Sequence, residues 1–138
     1  MKYSIVSGYF DPIHKGHIEY FQLAKKQGDK LLVILNNDKQ AILKKGKSFM
    51  NENDRNIIIK AIGVVDETII SIDIDLTQCE TLLYIRNMLP NDELIFCQGG
   101  DRNNNEIPEA HICRLNNIKM IDGLGDKIES SSNLIKNI

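Results

Sequence analysis

Five short runs rich in branched apolar residues, Lys2–Ser7, Lys30–Asn36, Glu67–Ile72, Glu93–Gln98 and Lys119–Asp122, alternate with amphipathic stretches. Each run is nearly continuous in apolar residues, so each predicts a strand covered on both faces, as in a parallel sheet flanked by helices. The alternation excludes all-α and all-β architectures and predicts an α/β fold. Between the strands, His17 to Gln27 places Ile18, Phe21, Leu23 and Ala24 toward one side, with Gly28 read as the helix stop. Asn51 caps a second helix whose first turn carries Glu52 and Asp54 and whose apolar positions are Ile57, Ile58, Ala61 and Ile62. A third runs from about Thr77 to Met88, Pro108 opens a short helix with Ala110, Ile112 and Leu115, and a last helix begins at Ser130. The remaining stretch, Asn37 to Phe49, is lysine-rich and reads as one long irregular loop, a length that in a compact domain usually serves function.

With 138 residues the chain suits one domain spanning 1–138, large enough to need no disulfide or metal staple. Lys and Arg total 17 against 19 Asp and Glu, a formal net charge of -2, which argues against a dedicated nucleic-acid binder. Cys79, Cys97 and Cys113 lie far apart without a CxxC, so free thiols in a reducing, cytoplasmic compartment are expected. The apolar stretch Tyr3 to Val6 is soon broken by Gly8 and Asp11 and is too short for a signal core or a membrane span, so no membrane partner is expected.

The segment between the first strand and the first helix, Ser7-Gly8-Tyr9-Phe10-Asp11-Pro12-Ile13-His14-Lys15-Gly16-His17, carries most of the chemistry. Gly8 allows close backbone approach to a ligand, and Pro12 fixes the turn. His14 and His17 sit one turn apart at a helix N-terminus, where amides and the helix dipole attract anions. Taken alone, the two histidines could equally be capping or interior residues. Near the other end, Ser130-Ser131-Ser132 offers three hydroxyls, or a plain helix cap.

This segment resembles the signature GxFDxxHxGH of the cytidylyltransferase-like nucleotidyltransferases, with every fixed letter present. The resemblance continues through Arg55, Val65-Asp66-Glu67, Gly99-Gly100-Asp101 and Ser130 to Ile135, nearly the whole chain. It implies a Rossmann-like, doubly wound five-stranded parallel sheet with helices on both faces, in which ligands lie beyond the strands' carboxyl ends where strand order reverses. His14, His17, Lys44 and Arg55 are then expected to be catalytic. Gly8, Tyr9, Phe10, Lys47, Gly99, Asp101, Lys127, Ser130, Ser131 and Ser132 would bind the nucleotide, and Asp11 and Arg102 the acceptor. Lys44 falls where the family carries a loop lysine, whereas the second such position meets Gly46, flanked by Lys45 and Lys47. Asp11 either supports Mg2+, held mainly by the triphosphate, or shapes the turn.

The implied reaction is attack by an acceptor's phosphate oxygen on the α-phosphorus of CTP, releasing pyrophosphate; the acceptor is already anionic, so no general base is needed. Gly63-Val64 stands where the glycerol-phosphate branch has Arg-Tyr, and Lys127 where that branch has Arg. The run from Gly99 to Arg102, with Ile107-Pro108-Glu109 and Gly123-Leu124-Gly125, instead looks like a branch of small enzymes that includes transferases to L-glutamine phosphate in capsule phosphoramidate biosynthesis. Glycerol 3-phosphate, an adenylyl transfer to a sugar phosphate, and a noncatalytic nucleotide-binding module are the alternatives. The family resemblance also implies a homodimer.

Overall fold

The computed structural model describes residues 1–99, 107–122 and 124. Five parallel strands, β1 (Lys2–Gly8), β2 (Lys30–Leu35), β3 (Glu67–Ile70), β4 (Glu93–Cys97) and β5 (Lys119–Ile121), form one sheet in the order β3-β2-β1-β4-β5. The chain winds outward from β1 to β3, then returns across β1 to β4, so strand order reverses between β1 and β4. The expected doubly wound sheet is present, and its strands end within two residues of the predicted limits.

The two-residue period of each strand divides the core. Val6, Leu31, Val33, Leu35, Ile95 and Cys97 face Phe21 and Ala24 of α1 (Lys15–Lys25) and Ile59 of a later helix (Glu52–Lys60). Tyr3, Ile5, Leu32, Ile34, Leu94 and Phe96 face Leu82 and Ile85 of the helix at Cys79–Met88 and Cys113 of the helix at Glu109–Leu115. Each fully buried Ile, Leu or Phe contributes roughly 1.5–3 kcal/mol, so both sheet faces are needed to hold a domain this small. The three cysteines are free; burial pushes the Cys97 and Cys113 thiols up to about 12.

The long loop expected over Asn37 to Phe49 is largely helical: α2 (Asp38–Lys45) precedes α3 (Glu52–Lys60). Asn37 and Gln40 close a reciprocal cap, the Gln40 amide donating to Asn37 Oδ1 at 2.8 Å and the Asn37 amide to Gln40 Oε1 at 3.0 Å. Gly46 ends the helix at φ 84, the left-handed region that glycine enters without penalty. Ile42 and Leu43 are exposed, so α2 lacks the apolar stripe by which helices are recognised, although Asn37-x-x-Gln40 and Gly46 were its legible signals.

Gly28 is not a left-handed stop, because α1 has already ended at Lys25; a Cβ there would lie 3.0 Å from the Lys2 carbonyl oxygen. The helix α4 (Cys79–Met88) has no side-chain cap of its own. Asp73, buried in the loop after β3, caps it from outside, accepting from the amides of Glu80 and Thr81 at 2.9 Å each. Pro108 is helical in backbone and directly precedes α5 (Glu109–Leu115). The helix expected at Ser130 lies outside the described residues.

Candidate active site

The carboxyl ends of β1 and β2 open onto a cavity of about 440 Å³ lined by Ser7, Gly8, Tyr9, Asn36, Lys44, Leu76, Gln78 and Glu109. Another concavity, about 330 Å³ and lined by Arg86, Asp92, Glu93 and Lys119 among others, lies at the amino ends of β4 and β5. Only the first is where a parallel sheet places ligands.

His14 and His17 take the capping role that the sequence left open. His14 is the N-cap of α1: the Gly16 amide donates to its Nδ1 at 3.1 Å, and the His14 amide donates to Nδ1 of His17 at 3.1 Å. The rings stack with centroids 3.8 Å apart. An Nδ1 that accepts a backbone proton carries none itself, so each neutral ring bears its proton on Nε2. Burial, the neighbouring His14 and the charge of Lys45 together push His17 down to about 4, so at neutral pH it is an uncharged Nε2–H donor. The expectation of free helix amides for an anion is corrected here: the Gly16 and His17 amides are occupied within the cap, the latter donating to the His14 carbonyl at 3.0 Å.

The intervening residues serve the turn more than a ligand. Phe10 has φ 53 and buries its ring in the core, edge-on to His17 at 5.0 Å and to Phe21 at 5.1 Å, so the ring is committed to packing and only the backbone is left to meet a nucleotide. Gly8 is needed for that ring, since a Cβ would stand 2.7 Å from Phe10 Cζ. Asp11 is not presented to an acceptor. Its carboxylate accepts from the amides of Phe49 at 2.8 Å and Met50 at 2.7 Å, organising the loop before α3. Burial works against ionisation of Asp11, but those two amides, with Arg55 and Lys45 nearby, hold its carboxyl below the usual range.

Arg55 departs furthest from expectation. It is the largest fully buried side chain, and its guanidinium donates to the carbonyls of Met50 (2.9 Å), Tyr9 (2.7 Å) and Asn36 (2.8 Å) and to Asp38 Oδ1 (2.8 Å). It ties together the ends of β1 and β2 and the loop of Asp11, so it is a positioning residue rather than a catalytic one.

Lys44 lies on the last turn of α2, lines the cavity and holds its Nζ 4.7 Å from the centre of the Tyr9 ring. Lys45 shares that ring at 5.2 Å and reaches the Asp11 carbonyl at 3.5 Å, while Lys47 is exposed beyond Gly46 and does not line the cavity. Gly99 follows β4, where a Cβ would come within 3.3 Å of the Tyr20 ring, itself bonded to the Cys97 carbonyl. Asp101, Arg102, Lys127, Ser130, Ser131 and Ser132 lie outside the described residues.

Asn36, Gln78 and Glu109 line the cavity and were missed by sequence reasoning. Glu109 reads in sequence as a first-turn carboxylate after proline, and Gln78 as a helix-flanking polar residue; neither carries a local sign of facing a ligand.

Residues 5–132 match the model of the family described as Cytidylyltransferase-like. The chain belongs to that family. As a cytidylyltransferase-like chain it is 40% identical over 67 residues to an FAD synthase of Pyrococcus horikoshii, covering 48% of this chain and 45% of that one. It is 38% identical over 69 residues to the glycerol-3-phosphate cytidylyltransferase of Bacillus subtilis, covering 50% and 54% respectively. The chain thus spans about half the length of these curated relatives. The crystal structure of a lipopolysaccharide core biosynthesis protein from Thermoplasma volcanium shares the fold, with a TM-score of 0.67 at 25% identity over 88% of this chain and 94% of that one. In this cytidylyltransferase-like fold His14 and His17 stand just beyond the carboxyl end of β1, beside the reversal of strand order. No helix among the described residues is long and apolar enough to cross a membrane.

Proposed function

We propose that the protein is a nucleotidyltransferase that joins the nucleotidyl group of CTP to a small phosphorylated acceptor. An acceptor phosphate oxygen attacks the α-phosphorus in line; the bond from that phosphorus to the bridging oxygen breaks, and pyrophosphate leaves with the electron pair. The observation that carries this reading is the reciprocal His14–His17 lock, which fixes two Nε2–H donors at the carboxyl end of β1, where the charge of Lys45 reaches His17. Preset donors need no reorganisation as charge develops on the transferring phosphoryl oxygens, which is how such sites lower barriers. Arg55 and Asp11 act through the backbone, holding Tyr9, Asn36 and the loop at 48–50 in place.

Mg2+ is expected to accompany the triphosphate. Asp11 does not suit it as a ligand, since both carboxylate oxygens hold backbone amides, and the described residues contain no cluster of three or more His, Cys, Asp or Glu that could hold a metal. L-Glutamine phosphate is the acceptor we favour, supported by the likeness of the segments around residues 99–109 and 123–132 to that branch. Ile72, Ile74 and Leu76, exposed on the segment after β3, give an apolar face suited to a homodimer, which light scattering would test.

The deciding assay is pyrophosphate release with CTP or ATP against glutamine phosphate, glycerol 3-phosphate, choline and ethanolamine phosphates, sugar phosphates and riboflavin 5′-phosphate. Release with CTP and one acceptor is expected, and none with any pair would overturn the proposal. The similarity to FAD synthases favours a second reading, adenylyl transfer, which turnover with ATP alone would establish.

A further inference from the structure

Two residues of the cavity wall at the ends of β1 and β2, Gln78 and Glu109, each hold a buried acceptor atom with nothing to accept. Gln78 is 3% exposed and Glu109 5%, yet Gln78 Oε1 and Glu109 Oε1 have no hydrogen-bond partner. The two residues are fastened together, because the backbone N–H of Gln78 donates to the other Glu109 oxygen, Oε2, at 3.0 Å. Among the described residues no cation pairs with Glu109. A buried acceptor left unsatisfied costs about 1–3 kcal/mol, and more for a charged group, so two on one cavity wall call for a donor from ordered water or from a ligand.

From these two atoms and the wall they share we infer that Gln78 and Glu109 form a subsite for an ammonium group carried by the phosphorylated acceptor. This rests on the transferase reading and specifies its acceptor. Among the described residues the lining has one cation, Lys44, and one carboxylate, Glu109, and so complements a zwitterion with phosphate toward the lysine and ammonium toward the carboxylate. The volume of about 440 Å³ falls in the range of small-molecule sites. A nucleobase amino group is a poorer fit, because the ring-nitrogen acceptor beside it would face the same carboxylate. A polyol phosphate supplies neutral hydroxyl donors and leaves the charge of Glu109 unpaired in a buried place. Selectivity follows: a site built around a buried acceptor rejects analogues that cannot satisfy it far more strongly than it rejects mere differences in size.

The test compares ethanolamine phosphate with glycerol 3-phosphate, on wild type, Glu109→Gln and Gln78→Met, with calorimetric binding and pyrophosphate release as separate readouts. Wild type should bind ethanolamine phosphate at least tenfold more tightly than glycerol 3-phosphate. Glu109→Gln should abolish that preference while its Kd for CTP stays within about twofold of wild type, and Gln78→Met should reduce the preference. Melting curves identify a variant that fails to fold, in which case the other variant and the wild-type preference decide. Equal or weaker binding of ethanolamine phosphate by wild type overturns the subsite. So does a Glu109→Gln variant with weakened CTP binding, which would give the carboxylate to the nucleotide, or one that needs more Mg2+ for half-maximal rate, which would give it to metal. Preferential binding without pyrophosphate release from any acceptor would uphold the subsite and defeat the transferase reading. Release with no ammonium preference would do the reverse.

Discussion

Replacing Arg55 by Lys separates positioning from chemistry, because it retains the charge and removes the planar fork. The guanidinium serves three backbone carbonyls and Asp38 at once. A lysine ammonium at that depth can satisfy one or two of them. Each buried carbonyl left without a donor costs about 1–3 kcal/mol. Asp38 is 34% exposed, so water recovers much of its lost bond and that pair adds only about 0.5 kcal/mol. The sum is about 3 kcal/mol, equivalent to a fall of roughly 10 °C in Tm for a domain of this size. The loss should be seen in thermal and urea unfolding followed by circular dichroism. In the pyrophosphate assay, run well below the variant's Tm, kcat/KM should fall about tenfold as Tyr9, Asn36 and Met50 loosen. A Tm within about 2 °C of wild type together with a loss of turnover beyond about 10³-fold would refute the argument, since a group whose removal costs chemistry but not stability must touch the reacting atoms.

His17→Gln keeps an acceptor at the third helical position and should leave Tm nearly unchanged at pH 7, yet cut kcat by about 10²–10³-fold through loss of the Nε2–H donor; near-normal kcat would remove His17 from the mechanism. The pKa of His17, lowered from 6.5 to about 4, means the unfolded chain binds the extra proton between those values, so stability is full above about pH 6.5 and declines as pH falls toward 4. Wild type should therefore lose more Tm than His17→Gln between pH 6.5 and 4, and parallel curves would contradict the assigned shift. Lys44→Ala should lower kcat/KM by about 10²-fold and Lys47→Ala by less than about threefold, because only Lys44 lines the cavity. The reverse order would move the phosphate contact past Gly46.

The sequence alone determined the α/β class, the five strands, the helices that flank them and the importance of the first turn. These follow from local rules: branched apolar runs need burial on both faces, and a histidine pair at i and i+3 must meet at a helix start. Periodicity reports which face of an element is buried, but not which distant group lies opposite it. Arg55 meets Tyr9 across 46 positions, Glu109 meets Gln78 across 31, and Asp11 holds Met50 across 39. Those pairings turned an expected catalytic arginine into an interior brace, an expected acceptor ligand into a loop anchor, and two unremarked polar residues into the wall of a cavity. Tertiary structure also decided α2, whose exposed Ile42 and Leu43 conceal its helical character, and the inward turn of Phe10 over Gly8. A buried polar group must find its partner wherever the fold supplies one, and that partner is set by how the strands are ordered rather than by any neighbour in the chain.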